Sequence, residues 1–495
     1  MSYNVKMKKQ RALVLQGGVA LGAYEAGAYK AFYKRLFKPG ERLFDVIAGT
    51  SIGAINAAII VSYVMQNRTW EGSADRLEEF WHYISQSTPA NAKLLTTWWD
   101  ETARRYYAVK DFFISGVDRV FSFPSIEYDF RFFDNLPIYQ GLPNTSNNIW
   151  FHYNNNPLRE SLGYVGHDGK KRFTKFPIAT SYEGKDNQFI EPRLLTVCVD
   201  VQLGSTVTFD SYEYVGNECK ICALEGNPPD RKDSEDLIKH LSEFHPDLQS
   251  SSVTSKRKDQ GVPLRWSVYG DDKKKIVLYY NGGLELKHVM ASGSFPVYFN
   301  YEDIQGRKYW DGGILSNTPL RELIHYHRDY WHKQKNMDVP DLDVFIVNIW
   351  PSQIDLIPYD HDRVKSRKND LTFKDKTDYD QKVAAIVTDL IDLYKKTRDF
   401  AGNYIDSNKQ VAFKADLDNY LSSINSKSKK RSSGSRDFKD LIDGRFSIEK
   451  LITVERKDDK HTISSKWADF TSDTIDCLIK DGESDATRVL DMERV

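Results

Sequence analysis

The chain has 495 residues, and its 69 Lys+Arg against 70 Asp+Glu leave a net charge of −1. That balance excludes a polycation built to coat nucleic acid and equally an acidic solvating chain. A hydrophobic content of 40% with 13% aromatic residues excludes wholesale disorder.

The segment preceding Arg11 has no apolar core of the kind a secretory signal needs. The longest mainly apolar stretch, Ala54–Met65, is too short to span a bilayer. Four cysteines exclude a disulfide framework and favour a reducing compartment. The expectation is a cytoplasmic protein, with peripheral membrane contact left open.

Arg11–Leu15 reads as a buried strand, Gly17-Gly18 as a tight turn and Ala23–Tyr33 as a helix. Phe44–Ala48 is a second strand and Ile52–Val61 an apolar helix, an alternation that predicts a parallel sheet with helices on its faces. From Trp98 to Tyr139 there are 13 aromatics in 42 residues with no strand alternation, so 62–150 is expected to form a helical, aromatic-rich cap. Trp98-Trp99, Tyr106-Tyr107, Phe112-Phe113 and Phe132-Phe133 there suit either local packing or an acyl channel that meets a bilayer surface. Strand signals return at Phe176–Thr180, Leu194–Leu203 and Thr206–Phe209. Residues 211–272 are polar and read as an insertion. Strands then resume at Ile276–Tyr280, Lys308–Trp310 and Val344–Ile349, with a helix at Leu286–Ser292. Beyond Pro351 the spacing predicts helices over 382–402 and 438–452, separated by a low-complexity mobile linker over 422–436.

Two glycine motifs stand at strand ends. Gly49-Thr50-Ser51-Ile52-Gly53 is G-x-S-x-G between a strand and a helix, the context in which a sharp turn exposes a nucleophilic serine. Gln16-Gly17-Gly18-Val19-Ala20-Leu21-Gly22 fails the dinucleotide pattern, because Val19 occupies the second required glycine, and lacks the ending of a P-loop. Two readings remain for it: an oxyanion hole with converging N–H groups at Gly18 and Val19, or a plain βα turn. Further on, Asp311-Gly312-Gly313 ends a short strand in a double-glycine turn. Its carboxylate can serve as the base for Ser51, although an Asp-Gly turn commonly bonds only its own backbone. His325, His327, His332, His361 and His461 all follow Asp311, so chain order permits a triad. The early position of Ser51, after only the second strand, favours a Ser–Asp dyad in a desolvated site.

The insertion carries Cys219-x2-Cys222 and His240-x4-His245, with Leu237 one turn before His240. Two thiolates on a turn and two imidazoles on a helix face can close a tetrahedron around zinc. Four protein ligands leave no open position, so the metal is expected to be structural, and no organic cofactor is implied. The segment resembles a C2H2-type zinc finger with a long linker. One isolated finger more often serves folding or protein contact than nucleic-acid binding, despite Arg231 and Lys256-Arg257-Lys258 nearby.

Gly17–Gly22, Gly49–Gly53 and Asp311–Gly313, in that order, resemble the motifs of the patatin-like phospholipases. Pro157-Leu158-Arg159-Glu160, Ala291-Ser292-Gly293-Ser294-Phe295-Pro296 and, more weakly, Asp469-Phe470-Thr471 support the resemblance. It implies a three-layer α/β/α sandwich with a mostly parallel sheet over 10–350, to which the composition adds the cap over 62–150, the small zinc-binding insert over 211–272 and a helical region over 351–495. It also implies Ser51 as nucleophile, Asp311 as base, an oxyanion hole at Gly17, Gly18 and Val19, and turn glycines at Gly22, Gly49, Gly53, Gly312 and Gly313. The implied substrate is a lipid or other acyl ester. Val19 stands where many members have a third glycine, and Leu21 where a cation is frequent. The competing reading is a catalytically weak interaction protein that uses the zinc-finger insert to bind a partner.

Overall fold

The computed structural model describes residues 9–88, 100–122, 153–163, 172–182, 189–213, 264–269, 276–374, 377–428, 444–457, 459 and 461–495. In chain order its elements begin with β1 (Gln10–Leu15), α1 (Gly22–Leu36), β2 (Val46–Thr50) and α2 (Ile52–Asn67). Helices α3 (Ser73–Ile84), α4 (Glu101–Ser115) and α5 (Asn156–Leu162) come next, then β3 (Arg193–Asp200), β4 (Ser205–Asp210), β5 (Leu264–Tyr269) and β6 (Ile276–Asn281). After α6 (Leu286–Ser292) come β7 (Glu302–Ile304), β8 (Arg307–Asp311), α7 (Leu320–Arg328) and β9 (Leu342–Asn348). The chain continues through α8 (His361–Phe373), α9 (Thr377–Tyr404), α10 (Ser407–Ser428), β10 (Ile448–Glu455) and α11 (Ser472–Met492).

The central sheet runs β10-β9-β1-β2-β3-β8-β7, with β4 also paired to β3. From β10 to β3 every pairing is parallel; β4, β8 and β7 add antiparallel strands at one side. Successive side chains of a strand point to opposite faces, and β1 divides its residues accordingly. Leu13 and Leu15 join a core with α1, α2, α3 and α11, while Ala12 and Val14 join a second core with Leu320, Leu323 and Trp331. Helices therefore cover both faces, the layering that a parallel sheet needs. β5 and β6 form a separate two-stranded sheet.

Two expectations fail locally. The helix foreseen over 438–452 is replaced from Ile448 onward by β10, paired in parallel with β9. Leu451, Ile452, Thr453 and Val454 are largely β-branched and suit a pleated surface, while the charges on Glu449 and Lys450 sit in water at the sheet edge. Phe176–Thr180 forms isolated bridges, Ile178 to Leu284 and Thr180 to Tyr212, rather than a strand; Pro177 has no N–H for a ladder. Ser422–Ser428 completes α10, and 429–436 of the expected linker lie outside the described residues. Among the described residues no helix is long and apolar enough to cross a membrane.

Candidate active site

The parallel strands β1, β2 and β9 all end at the same edge, and the candidate residues gather there. Ser51 lies between β2 and α2 with φ +55° and ψ −124°, a backbone that L-residues rarely hold. The flanking glycines permit this turn by close approach. A Cβ on Gly49 would lie 2.3 Å from the Gly53 carbonyl oxygen, and one on Gly53 would lie 2.5 Å from that of Leu15. The Ser51 N–H donates to Ser292 Oγ at 2.8 Å, and that hydroxyl donates in turn to the Val197 carbonyl at 2.5 Å. A helix from one layer thus pins the turn to β3.

β3 pairs with β8, which ends at Asp311. Ser51 Oγ donates to Asp311 Oδ2 at 2.6 Å, and the Gly313 N–H donates to Oδ1 at 2.7 Å. Gly312 has no room for a side chain, because a Cβ would stand 2.4 Å from the Val197 carbonyl oxygen. Asp311 is 2% exposed. Burial pushes its carboxyl up to about 7, against the opposing pull of the hydrogen bonds from Ser51 and Gly313.

The first glycine loop faces this pair across the strand ends. The Gly17 carbonyl accepts from Trp350 Nε1 at 2.7 Å and from Asn317 Nδ2 at 3.1 Å. Across a trans peptide the next N–H points the opposite way, so these two donors orient the Gly18 N–H. The Gly17 N–H donates to the Asn317 carbonyl at 3.2 Å, whereas the Gly18 and Val19 N–H groups have no acceptor among the described residues. Of the three positions expected to hold an oxyanion, only Gly18 and Val19 therefore offer an open donor among the described residues. Val19 adopts φ +52°, a strained value for a β-branched residue. Gly22 packs against Ile52, where a Cβ would lie 2.6 Å from a methylene.

A cavity of about 270 Å³ opens over Ser51 and Asp311. Phe295, Tyr298, Phe299, Trp350, Phe373 and Trp467 make its walls largely aromatic. Among the described residues no histidine lines it. His327 is buried elsewhere, its Nε2 2.9 Å from the Pro340 carbonyl oxygen. Phe112 is in the core and Phe113 packs edge-on against Trp467 with centroids 5.7 Å apart, so this part of the expected cap backs the cavity wall. Trp98, Trp99, Phe132 and Phe133 lie outside the described residues, as do Cys219, Cys222, His240 and His245. Among the described residues no cluster of metal-ligating side chains occurs.

The profile of the patatin-like phospholipase family matches residues 13–324. The chain belongs to that family. Membership makes it a hydrolase of lipid esters, and the observed mixed α/β architecture is the patatin-like one. No curated protein matches the sequence. Among solved structures the chain is similar to VipD from Legionella pneumophila, at 12% identity and a TM-score of 0.29, over 98% of this chain and 68% of that one.

Sequence reasoning gave no positioning role to several residues of this patatin-like site. Ser292, Asn317, Trp350 and Gln16 fix the loops around Ser51 and Asp311. Gln16 accepts the Ile349 N–H at 2.7 Å and donates to Thr318 Oγ1 at 2.8 Å, joining the ends of β1 and β9 to the turn after Asp311. The rule that ligands sit beyond the carboxyl ends of parallel strands would have pointed to Gln16 and Trp350. Lys365, Lys368, Asn369, Ser464, Ser465 and Trp467 also line the cavity, and all lie beyond the family match.

Proposed function

We propose that the protein cleaves carboxylic esters of lipids through a Ser51–Asp311 dyad and an acyl-enzyme intermediate. The observation that carries this reading is the 2.6 Å contact between Ser51 Oγ and a buried carboxylate, at the floor of an aromatic cavity. In the first step Asp311 takes the hydroxyl proton as Ser51 Oγ bonds to the ester carbonyl carbon. The negative charge that develops on the carbonyl oxygen is received by the Gly18 and Val19 N–H groups; one such donor is worth about 3 kcal/mol. The N-terminus of α2 adds a favourable field. The tetrahedral intermediate collapses, the C–O bond to the alcohol breaks, and Asp311 returns its proton to the leaving oxygen. Water then gives a proton to Asp311 and attacks the acyl-Ser51 ester, releasing the fatty acid and restoring the serine.

A carboxylate with an ordinary acidity would be a poor base for a serine. Burial raises the basicity of Asp311 toward neutrality, which supports its role without a histidine. The test is covalent labelling by a fluorophosphonate probe. We expect label on the wild type and on neither Ser51→Ala nor unfolded protein. Ser51→Ala labelled as strongly as wild type would sink the nucleophile assignment, and Asp311→Asn with wild-type turnover would sink the base.

The Cys219, Cys222, His240 and His245 set is likewise proposed as a structural zinc site, on the ligand chemistry of its spacing. Protein purified without chelator should carry about one zinc per chain; metal analysis that finds none removes the proposal.

A further inference from the structure

The floor of the cavity is built by the family domain, but its outer wall is not. That wall comes from α8 and from Ser464–Trp467, both downstream of residue 324. α8 is firmly held there. The Lys466 ammonium meets Asp370 at 2.6 Å, and both side chains are buried. Asn369 Nδ2 donates to the Ser464 carbonyl at 3.1 Å, and the Ser464 N–H donates to Asp362 Oδ2 at 2.9 Å. The Arg367 guanidinium donates to the carbonyls of Pro351 and Ser352 at 3.0 and 2.8 Å.

Two cations on this fixed helix face the cavity. Lys365 and Lys368 both line it and are exposed, and neither has a carboxylate partner among the described residues. Their spacing of three residues places them side by side on one helix face. Among the described residues the only acid in the lining is Asp311, which is occupied by Ser51 and Gly313. Leu21, in the first loop, is fully buried and contributes no charge. An ester site whose floor is neutral or acidic and whose wall is aromatic thus has its positive charge in one place. Neighbouring ammonium groups repel each other unless an anion sits between them, and a phosphate ester supplies several acceptor oxygens for such a pair.

We propose that Lys365 and Lys368 form a headgroup subsite that takes the phosphate of a phospholipid or lysophospholipid while the acyl chain lies along the aromatic wall. The proposal rests on the serine–aspartate reading above and names the residues, outside the family match, that select among its ester substrates. These lysines are specificity determinants: they make the enzyme prefer a phosphate-bearing ester to a neutral glyceride of the same chain.

The test compares lauroyl lysophosphatidylglycerol with lauroylglycerol, both kept monomeric, in the wild type and in Lys365→Gln/Lys368→Gln. The ratio of kcat/KM for the two substrates should fall about tenfold in the double variant, through KM, and Lys365→Arg/Lys368→Arg should restore most of it. An unchanged ratio, or both rates falling together, would overturn the subsite. So would an effect confined to vesicles of equal parts phosphatidylcholine and phosphatidylglycerol, because the lysines would then read a lipid surface and not the substrate. Trp350 and Trp467 line the cavity and give a readout without turnover. Fluorescence titration of Ser51→Ala with the same two lipids should show tighter binding of the lysophospholipid, lost when both lysines become glutamine. Binding discrimination without any wild-type hydrolysis would sink the hydrolase reading and leave the subsite standing; hydrolysis without discrimination would do the reverse.

Discussion

The Asp311 carboxyl loses its proton near pH 7, well above the ordinary 3.8. Only the ionised form can accept the serine proton, so kcat/KM on a short-chain nitrophenyl ester should rise with pH through an apparent pKa near 7. A profile flat from pH 5 to 8 (about three pH units around the raised value) would contradict this. The same shift has a cost in stability. The folded state holds the proton more tightly than the unfolded state, so the stabilisation present below pH 3.8 is lost as pH rises through about 7. Asp311→Asn removes that loss. It should abolish turnover yet raise the melting temperature by about 2–4 °C at pH 8, with the difference from wild type vanishing near pH 4. Ser51 stores strain of a second kind. At φ +55° glycine is at ease and alanine is not, so Ser51→Gly should be more stable than Ser51→Ala by about 1–2 kcal/mol in urea unfolding, and equal values would argue against a strained elbow. Both residues were legible in the sequence because their neighbours are local: a strand, two glycines and a helix frame Ser51, and a double-glycine turn frames Asp311. Lys365 and Lys368 were not. Their place at the cavity depends on contacts from α8 to residues about a hundred positions away, which no local spacing encodes.

α1 and α11 cross with almost no space between their backbones. A Cβ on Gly27 would fall 1.8 Å from the Ile479 carbonyl oxygen, and one on Gly482 would fall 2.0 Å from that of Tyr24. Gly27→Ala should therefore destabilise the protein by about 3 kcal/mol or more, or prevent soluble expression. Gly402→Ala, in α9 with nothing within 4 Å of the added Cβ, should instead stabilise it by about 0.5–1 kcal/mol. Thermal melts of the two variants beside wild type check the contrast. A second lock holds the same end of the chain: Asp469 accepts from Arg105 Nε at 3.0 Å, Thr471 Oγ1 at 2.7 Å and Thr474 Oγ1 at 2.8 Å, all buried. Helical spacing revealed α1 in the sequence. It could not show that Gly27 serves a crossing, since the same glycine in isolation reads as a weak point in a helix. β10 was misread for a related reason: at a sheet edge Glu449 and Lys450 are exposed and Thr453 only half-buried, so its apolar residues do not form an uninterrupted run.

The sheet and the cavity both depend on chain that the family match leaves out. β10 lies beside β9, α11 covers α1, and Ser464–Trp467 close the cavity. A chain ending at residue 360 keeps the whole matched region but exposes the apolar face of α1 and the flank of β9. It should be recovered as aggregate and show no fluorophosphonate labelling, and a soluble, labelled fragment would show that the downstream part is an accessory. The crossing of α1 and α11 also sets an order of events during synthesis. Gly27 leaves the ribosome about 450 residues before Gly482, its counterpart in the crossing. At about 5–20 residues per second that interval is roughly 20–90 s, during which α1 can pack on α2 and α3 but its face toward α11 has no partner. The turn that carries Ser51 is translated early and α11, which packs over α1, follows about 420 residues later, so a ribosome stalled between them would hold a chain with an apolar helix face uncovered and sticky.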